Sequence, residues 1–144
     1  MTLPHAVTSR TLILMLLAVA QLLLVSTARS EEISQRELMQ RLDMNAPPFI
    51  FDVRRGDEFA SGHVPGAVNI PHNEIVARLD ELSIHRDKEI VIYCESGKRA
   101  AIAQGILEKA GFTRIRHLQG DMRAWRERGL PHEQAFPAAA PDVK

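Results

Sequence analysis

The stretch VIYCESGKRA, residues 91–100, holds the only cysteine of the chain and decides the fold that the sequence predicts. An apolar run ends at Cys94, a short polar loop containing Gly97 follows, and a helical pattern begins after that loop. This order predicts a buried strand, a tight loop and a helix. Backbone N–H groups without partners at a helix start favour negative charge, so the thiol lies where its thiolate form is stabilised.

The alternative for a lone cysteine is a buried, unreactive core residue, because free thiols are often buried. Lys98 and Arg99 add positive charge beside the loop and favour the reactive thiolate. The two interpretations predict different chemistry at Cys94, and the strand–loop–helix context favours the reactive one.

The first 30 residues differ in kind from the rest. A start carrying Arg10 leads into residues 12–25, which are almost wholly apolar, and small residues follow up to Ala28. This order predicts a secretory signal over residues 1–28, cleaved after Ala28 or after Ser30. The apolar run is shorter than the roughly 20 residues of a membrane span, which disfavours an uncleaved anchor. An exported protein with one cysteine forms no internal disulfide, so its thiol serves chemistry or intermolecular pairing.

The composition sets the size and excludes several classes of protein. The chain has 144 residues and a formal net charge of zero, which suits one domain and gives no basic excess for nucleic acid. Its histidines and single cysteine show no CxxC or HxxxH spacing, so a structural zinc site is not expected. We expect one domain over residues 34–132 and a disordered, Ala/Pro-rich tail over residues 133–144.

Strand and helix patterns alternate along this domain. Apolar runs predict strands at 49–53, 67–70, 89–93 and 115–118. Helical spacing and cap signals predict helices at 34–43, 57–60, 73–82, from the cysteine loop to 110, and from 121 to about 128. The alternation predicts an α/β domain with a mainly parallel central sheet and helices on both faces.

Individual residues predict how the helices begin and pack. Ser34 and Glu37 form a predicted capping box, with Ile33 and Leu38 as its hydrophobic staple, and Asp121 is expected to cap the last helix. In the helix after Cys94, one face is expected to pack inward, Gly105 to allow a close approach to the sheet, and Gly111 to end the helix. The residues of that face are Ile102, Ile106 and Ala110, with Ala103 and Leu107 beside them.

Ligands of parallel α/β sheets bind at the carboxyl ends of the strands. Cys94 directly follows the strand expected at the centre of the sheet, and Asp52 and Arg54 lie at the end of another strand. These residues are therefore expected to reach the same rim. Because paired charges at strand ends commonly fix loops, Asp52 and Arg54 are expected to support the loop and not to react.

Three stretches, in this order, resemble the rhodanese family. Residues 52–71, from Asp52-Val53-Arg54 to Ile70-Pro71, resemble its leading signature, and residues 93–99 resemble its active-site loop. Residues 120–131, with Gly120-Asp121-Met122 and Ala124-Trp125, are similar to its closing motif. With the expected signal peptide, the chain resembles the small, exported, single-domain rhodaneses of bacteria, which implies a periplasmic thiosulfate sulfurtransferase without a stable membrane anchor.

The resemblance implies sulfur transfer through a persulfide on Cys94. The thiolate would attack the outer sulfur of thiosulfate or another anionic donor, release sulfite, and pass the sulfur to cyanide or a thiol, a thioredoxin-like protein being one such acceptor. No cofactor or metal is implied. The substrate-binding loop implied by the resemblance consists of Glu95, Ser96, Gly97, Lys98 and Arg99.

Glu95 departs from the basic or neutral residue that many members of the family carry at this position. A carboxylate beside Cys94 disfavours the thiolate and repels thiosulfate, so Glu95 is expected to point outward and to favour another donor or a cationic or protein acceptor. Arg99 is expected to bind substrate or to brace the loop against an acid such as Asp52. Three aromatic side chains are expected to be structural: His63, His117 and Trp125.

Two other functions stay open. Related phosphatases and arsenate reductases place five residues between the cysteine and an arginine, whereas Arg99 follows Cys94 after four and Ala100 occupies the required position. The tighter loop favours a sulfur substrate over a phosphoryl group. A non-catalytic binding module is the other alternative, although such members of the family usually lack the cysteine.

Overall fold

The computed structural model describes residues 31–135 of the chain. Five parallel strands form one sheet in the order β1-β5-β4-β2-β3. The predicted signal peptide and the part of the predicted tail beyond residue 135 lie outside the described residues. The strands are β1 (Glu31–Ile33), β2 (Phe49–Asp52), β3 (Val68–Asn69), β4 (Ile90–Tyr93) and β5 (Ile115–Leu118).

Helices connect the strands and confirm the α/β class. They are α1 (Gln35–Asp43), α2 (Gly56–Ser61), α3 (Leu79–Leu82), α4 (Lys98–Lys109) and α5 (Asp121–Glu127). Within residues 31–135, no helix has the length and apolar character needed to cross a membrane.

Each face of the sheet carries its own apolar core. Successive side chains of a strand point to opposite faces, so β4 contributes Ile90 and Ile92 to one core and Val91 and Tyr93 to the other. All four are fully buried, as in a central parallel strand covered on both sides. Cys94 continues this alternation and belongs to the same core as Ile90 and Ile92, which is the core beneath α4.

Strand β1 was not predicted from the sequence. It contains two exposed glutamates, and only Ile33 is buried, so it lacks the pattern of a strand. Its pairing with β5 at the sheet edge places it in the sheet. The strand leads directly into α1, where Ser34 Oγ accepts the N–H of Glu37 at 3.1 Å. Half of the predicted capping box is therefore present, while the Glu37 carboxylate binds Arg116 on β5 instead.

The predicted helix at 73–82 is wrong in form. Two 3₁₀ turns, Val76–Arg78 and Ser83–His85, flank the four-residue α3. The N–H of Arg78 is shared between the carbonyls of Glu74 at 3.2 Å and Ile75 at 3.1 Å, which is the bifurcated bonding of a chain between the two helix types. Apolar residues spaced three and four apart fit both geometries, so the spacing alone did not separate them.

The predicted apolar face of α4 is wrong at Ile102 and confirmed at its other positions. Ile102 is 56% exposed, whereas Ala103 and Leu107 are buried and the partly buried Ile106 and Ala110 pack against the same core. Ala100 and Gln104 are buried as well. No heavy atom lies within 4 Å of the position that a Cβ of Gly105 would take, so Gly105 does not mark a close approach to the sheet. Gly111 has a φ of +89° and follows the end of the helix as predicted.

Candidate active site

Cys94 lies at the carboxyl end of the central strand β4, between that strand and α4. Its side chain is 1% exposed, and the Gly97 N–H donates to Cys94 Sγ at 3.1 Å. This bond requires a sharp turn, which Gly97 makes with a φ of +91°. The loop thus aims a backbone N–H at the sulfur, and α4 begins with its N-terminus at the next residue.

Helix α5 holds the backbone of the loop from the other side. The N–H of Met122 donates to the carbonyl of Cys94 at 3.0 Å, and the N–H of Arg123 donates to that of Glu95 at 3.2 Å. First-turn N–H groups have no partner within their own helix, so the loop carbonyls satisfy them. The cysteine is thereby anchored to a helix that begins 27 residues later in the chain.

Asp121 does not cap its own helix, which corrects the prediction. Gly120 occupies the N-cap position without a side-chain bond. The Asp121 carboxylate instead accepts the backbone N–H of Cys94 at 2.8 Å and lies 3.1 and 3.2 Å from His117 Nε2. Because a carboxylate only accepts, that histidine nitrogen carries the proton. Neither residue was predicted from the sequence as a loop contact, because an aspartate that follows a strand and a glycine has the sequence signature of a cap.

Asp52 and Arg54 form a buried ion pair below the loop. Arg54 Nη2 lies 2.6 Å from Asp52 Oδ2, and the Tyr93 hydroxyl donates to the same oxygen at 2.7 Å. Burial, together with the negative charge of Asp52, raises the pKa of Tyr93 well above its ordinary value. Arg54 also donates to the carbonyl of Gly62 at 2.8 Å. These contacts join β2, β4 and the segment after α2, so the pair is placed to support the rim.

Arg99 pairs with Glu58 of α2 and not with Asp52, which Arg54 already occupies. Its two terminal nitrogens donate to the two Glu58 oxygens at 2.6 and 2.8 Å. These bonds lower the pKa of Glu58 to about 2. The same carboxylate raises the pKa of Arg99, and the Cys94 side chain adds to the effect. Glu58 therefore keeps a permanent cation beside the sulfur.

Glu95 leans toward α5 and is partly neutralised there. Its carboxylate binds Arg126, with Nη1 at 3.1 Å from Oε2, and Arg54 Nη1 lies 3.9 Å from the same oxygen. The Glu95 side chain is 30% exposed and that of Arg126 is 48% exposed. The contact between Arg126 and Glu95 was not predicted from the sequence. The last helix contains several arginines, and no local pattern indicates which of them lies next to the loop.

The remaining predicted site residues lie at the edge or in the core. Ser96 and Lys98 are exposed in the loop. His63 stacks on the Phe59 ring with centroids 3.6 Å apart, and Trp125 is fully buried with Nε1 donating to the Pro131 carbonyl at 2.8 Å. Over residues 31–135 no group of three or more His, Cys, Asp or Glu side chains is arranged to hold a metal ion.

Comparisons with known proteins agree with this geometry. The model of the rhodanese-like domain family matches residues 34–128. A sulfurtransferase of Allochromatium vinosum is 37% identical over 100 residues, which are 69% of this chain and 92% of that protein. The structure of the human single-domain sulfurtransferase TSTD1 superposes with a TM-score of 0.60 at 29% identity and covers 69% of this chain and 98% of its own.

Other relatives are longer proteins that contain a similar segment. The HTH-type transcriptional regulator Rv0324 of Mycobacterium tuberculosis is 35% identical over 114 residues, but the chain spans only 49% of its length. The domain thus makes up nearly all of some relatives and only part of others. With its loop, its sheet order and these relatives in agreement, the chain belongs to the rhodanese-like domain family, whose members include sulfurtransferases.

Proposed function

We propose that this protein transfers sulfane sulfur from thiosulfate or a related anionic donor to a nucleophilic acceptor through a persulfide on Cys94. The observation that carries the proposal is the Gly97 N–H aimed at Cys94 Sγ from 3.1 Å, with the first turn of α4 directly behind it. A thiolate is the charge state that such a donor and such a helix end favour.

The transfer takes place in two displacements at sulfur. In the first, the Cys94 thiolate attacks the outer sulfur of thiosulfate, a new S–S bond forms, and sulfite leaves with the electrons of the old one. In the second, cyanide or a thiolate attacks the outer sulfur of the persulfide, and Cys94 recovers its thiolate as the leaving group. Neither step needs an oxidant, a reductant or a second cysteine, which suits a chain with one.

The charged residues of the loop suit an anionic donor. Lys98 is exposed at the loop, and Arg99 is held at it by Glu58. Such fixed cations and backbone N–H groups stabilise negative charge without reorganising during the reaction. Lys98 and Arg99, with Ser96 beside them, are therefore the residues proposed to bind the donor, while the Gly97 N–H supports the sulfur.

The test is the intact mass of the purified protein before and after thiosulfate, and again after cyanide. A gain of one sulfur atom, reversed by cyanide and absent from Cys94→Ser, is the expected result. An unchanged mass in a protein whose thiol alkylates readily would exclude thiosulfate as the donor. An unreactive thiol would overturn the proposal and favour a binding module.

We further propose that the protein acts in the periplasm after removal of residues 1–28. The support is the charged start, the apolar run and the small residues before Arg29. A protein thiol, such as that of a thioredoxin-like protein, is then an acceptor alongside small nucleophiles. The mass of the exported protein tests the cleavage after Ala28 against cleavage after Ser30.

A further inference from the structure

The pair formed by Asp121 and His117 touches the Cys94 loop and has no part in the chemistry described above. The other carboxylates described around the loop are each paired with an arginine: Asp52 with Arg54, Glu58 with Arg99, and Glu95 with Arg126. Asp121 differs from these three because its partner is a histidine. An arginine always balances the charge of its carboxylate, whereas a histidine does so only when it is protonated.

Asp121 occupies a backbone conformation that side chains disfavour. Its φ is +54°, and the preceding Gly120 has a φ of +74°. A residue with a Cβ is strained in this region, although aspartate and asparagine tolerate it better than most. The side chain is also buried, with the residue only 5% exposed. Its bonds to the Cys94 N–H and to His117 are the contacts that offset this cost.

The carboxylate lies directly behind the part of the loop that supports the sulfur. Asp121 Oδ1 accepts the hydrogen bond of the Cys94 backbone N–H, so that N–H is not available to a bound anion. Asp121 Oδ2 lies 3.2 Å from the position that a Cβ on Gly97 would take, and the Gly97 N–H is the donor to Cys94 Sγ. The Asp121 carboxylate therefore lies close to the reacting atom, with an imidazole and not a guanidinium beside it.

The sulfur donors differ in how much charge they bring to this place. Thiosulfate carries two negative charges, so the loop holds three when the thiolate attacks. A hydropersulfide R–S–SH reacts through its neutral –S–SH group: the thiolate attacks the outer sulfur, the inner sulfur leaves as R–S⁻ with the bond's electrons, and the proton stays on the transferred sulfur. A fixed carboxylate therefore disfavours thiosulfate much more than a hydropersulfide.

Building on the sulfurtransferase function proposed above, we propose that Asp121, oriented by His117, is a specificity-determining positioning residue that disfavours thiosulfate and favours hydropersulfide donors. It fixes the backbone of Cys94 and sets the electrostatic potential at the sulfur. Among sulfane sulfur donors, the class expected to be favoured over thiosulfate is accordingly a small-molecule or protein hydropersulfide, which the same cations can attract in its anionic form before the neutral –S–SH form reacts.

Three variants separate the charge of Asp121 from its structural contacts. Asp121→Asn keeps an oxygen for the Cys94 N–H and tolerates the positive φ, but removes the charge. Asp121→Gly relieves the backbone and removes both charge and acceptor. The control, Glu127→Gln, removes a carboxylate from an exposed position on the same helix.

The first readout is independent of sulfur transfer. Iodoacetate and iodoacetamide alkylate a thiolate by the same chemistry and differ by one negative charge, so the ratio of their rates at Cys94 reports the potential at the sulfur. Asp121→Asn is expected to raise the ratio of iodoacetate to iodoacetamide about three- to tenfold. Glu127→Gln is expected to leave it unchanged, and an unchanged ratio in Asp121→Asn would overturn the inference.

The second readout is kcat/KM for thiosulfate against that for cysteine hydropersulfide. Asp121→Asn is expected to raise the thiosulfate value relative to the hydropersulfide value about three- to tenfold. A purely structural role predicts instead that Asp121→Asn and Asp121→Gly lose activity with both donors equally, and that result would overturn the proposal. A shifted alkylation ratio in a protein that accepts sulfur from neither donor would overturn the sulfurtransferase function while supporting the electrostatic role.

Discussion

At the scale of single residues, Glu95 shows how a carboxylate can stand beside a reactive thiol. Its neighbours Arg126 and Arg54 offset its charge and so reduce its repulsion of an incoming anion. Glu95 was expected to point outward. Its side chain is partly exposed, but its carboxylate binds Arg126 of α5.

Replacing Glu95 by Gln removes one negative charge next to Cys94 and leaves both arginines in place. We expect kcat/KM for thiosulfate to rise about two- to fivefold. Arg126→Gln is expected to lower it by a similar factor, because Glu95 then loses its closest cation. Steady-state kinetics at low ionic strength check both variants, and equal kinetics in wild type and Glu95→Gln would show that the arginines neutralise the carboxylate fully.

At the scale of elements, α4 illustrates what a sequence pattern contains and what it omits. Its start, its length and its glycine end follow from local signals, whereas its buried face depends on which side meets the sheet. Ala100, Ala103 and Leu107 pack inward at the same three-and-four spacing that Ile102 and Ile106 also satisfy. The small alanine side chains allow the helix to lie close to the loop and the strand. The prediction used only the spacing of apolar residues and took no account of their size.

Gly105 in the middle of α4 gives a test of this correction. With open space around its Cβ position and no positive φ, Gly105→Ala is expected to stabilise the protein by about 0.5–1 kcal/mol through helix propensity. Gly111→Ala, at a φ of +89°, is expected to destabilise it by about 1 kcal/mol. Urea unfolding of both variants gives the comparison, and a loss of stability in Gly105→Ala would restore the close approach first predicted.

At the scale of the whole molecule, ion pairs join segments that are distant in the chain, and the Glu58–Arg99 pair joins α2 to the active-site loop. The bonds from Arg99 lower the pKa of Glu58 from an ordinary 4.5 to about 2. A carboxyl whose pKa falls on folding stabilises the fold above the unfolded pKa. That contribution is lost as the pH falls from about 4.5 through about 2.

Glu58→Gln is therefore expected to be less stable than wild type at neutral pH by about 1–2 kcal/mol. The difference is expected to shrink as the pH falls from about 4.5 to about 2, where wild type loses the same ion pair. Chemical unfolding at a series of pH values measures it. Glu81→Gln, at an exposed pair with Arg78, is the matched control and is expected to change stability less. A constant difference between Glu58→Gln and wild type across this range would contradict the assignment.

Features encoded by neighbouring residues could be predicted from the sequence, whereas features that depend on residues far apart in the chain could not. The strand–loop–helix at Cys94, four of the five strands and the parallel α/β class were predicted from patterns within a few residues. The contacts that place Glu58, Asp121 and Arg126 around the loop join residues far apart in the chain, and no local pattern encodes them. The edge strand β1 was missed for the same reason, because its partner alone makes it a strand.

The anchoring of the cysteine loop by α5 also bears on the order in which the site forms during synthesis of the chain. The carbonyls of Cys94 and Glu95 find their donors on Met122 and Arg123, which are made after the whole of α4 and β5. Because synthesis proceeds from the N-terminus, the growing chain contains the thiol well before it contains the groups that hold the cysteine loop in place. The loop that carries the thiol therefore lacks these two hydrogen-bond partners until α5 has been made and has docked.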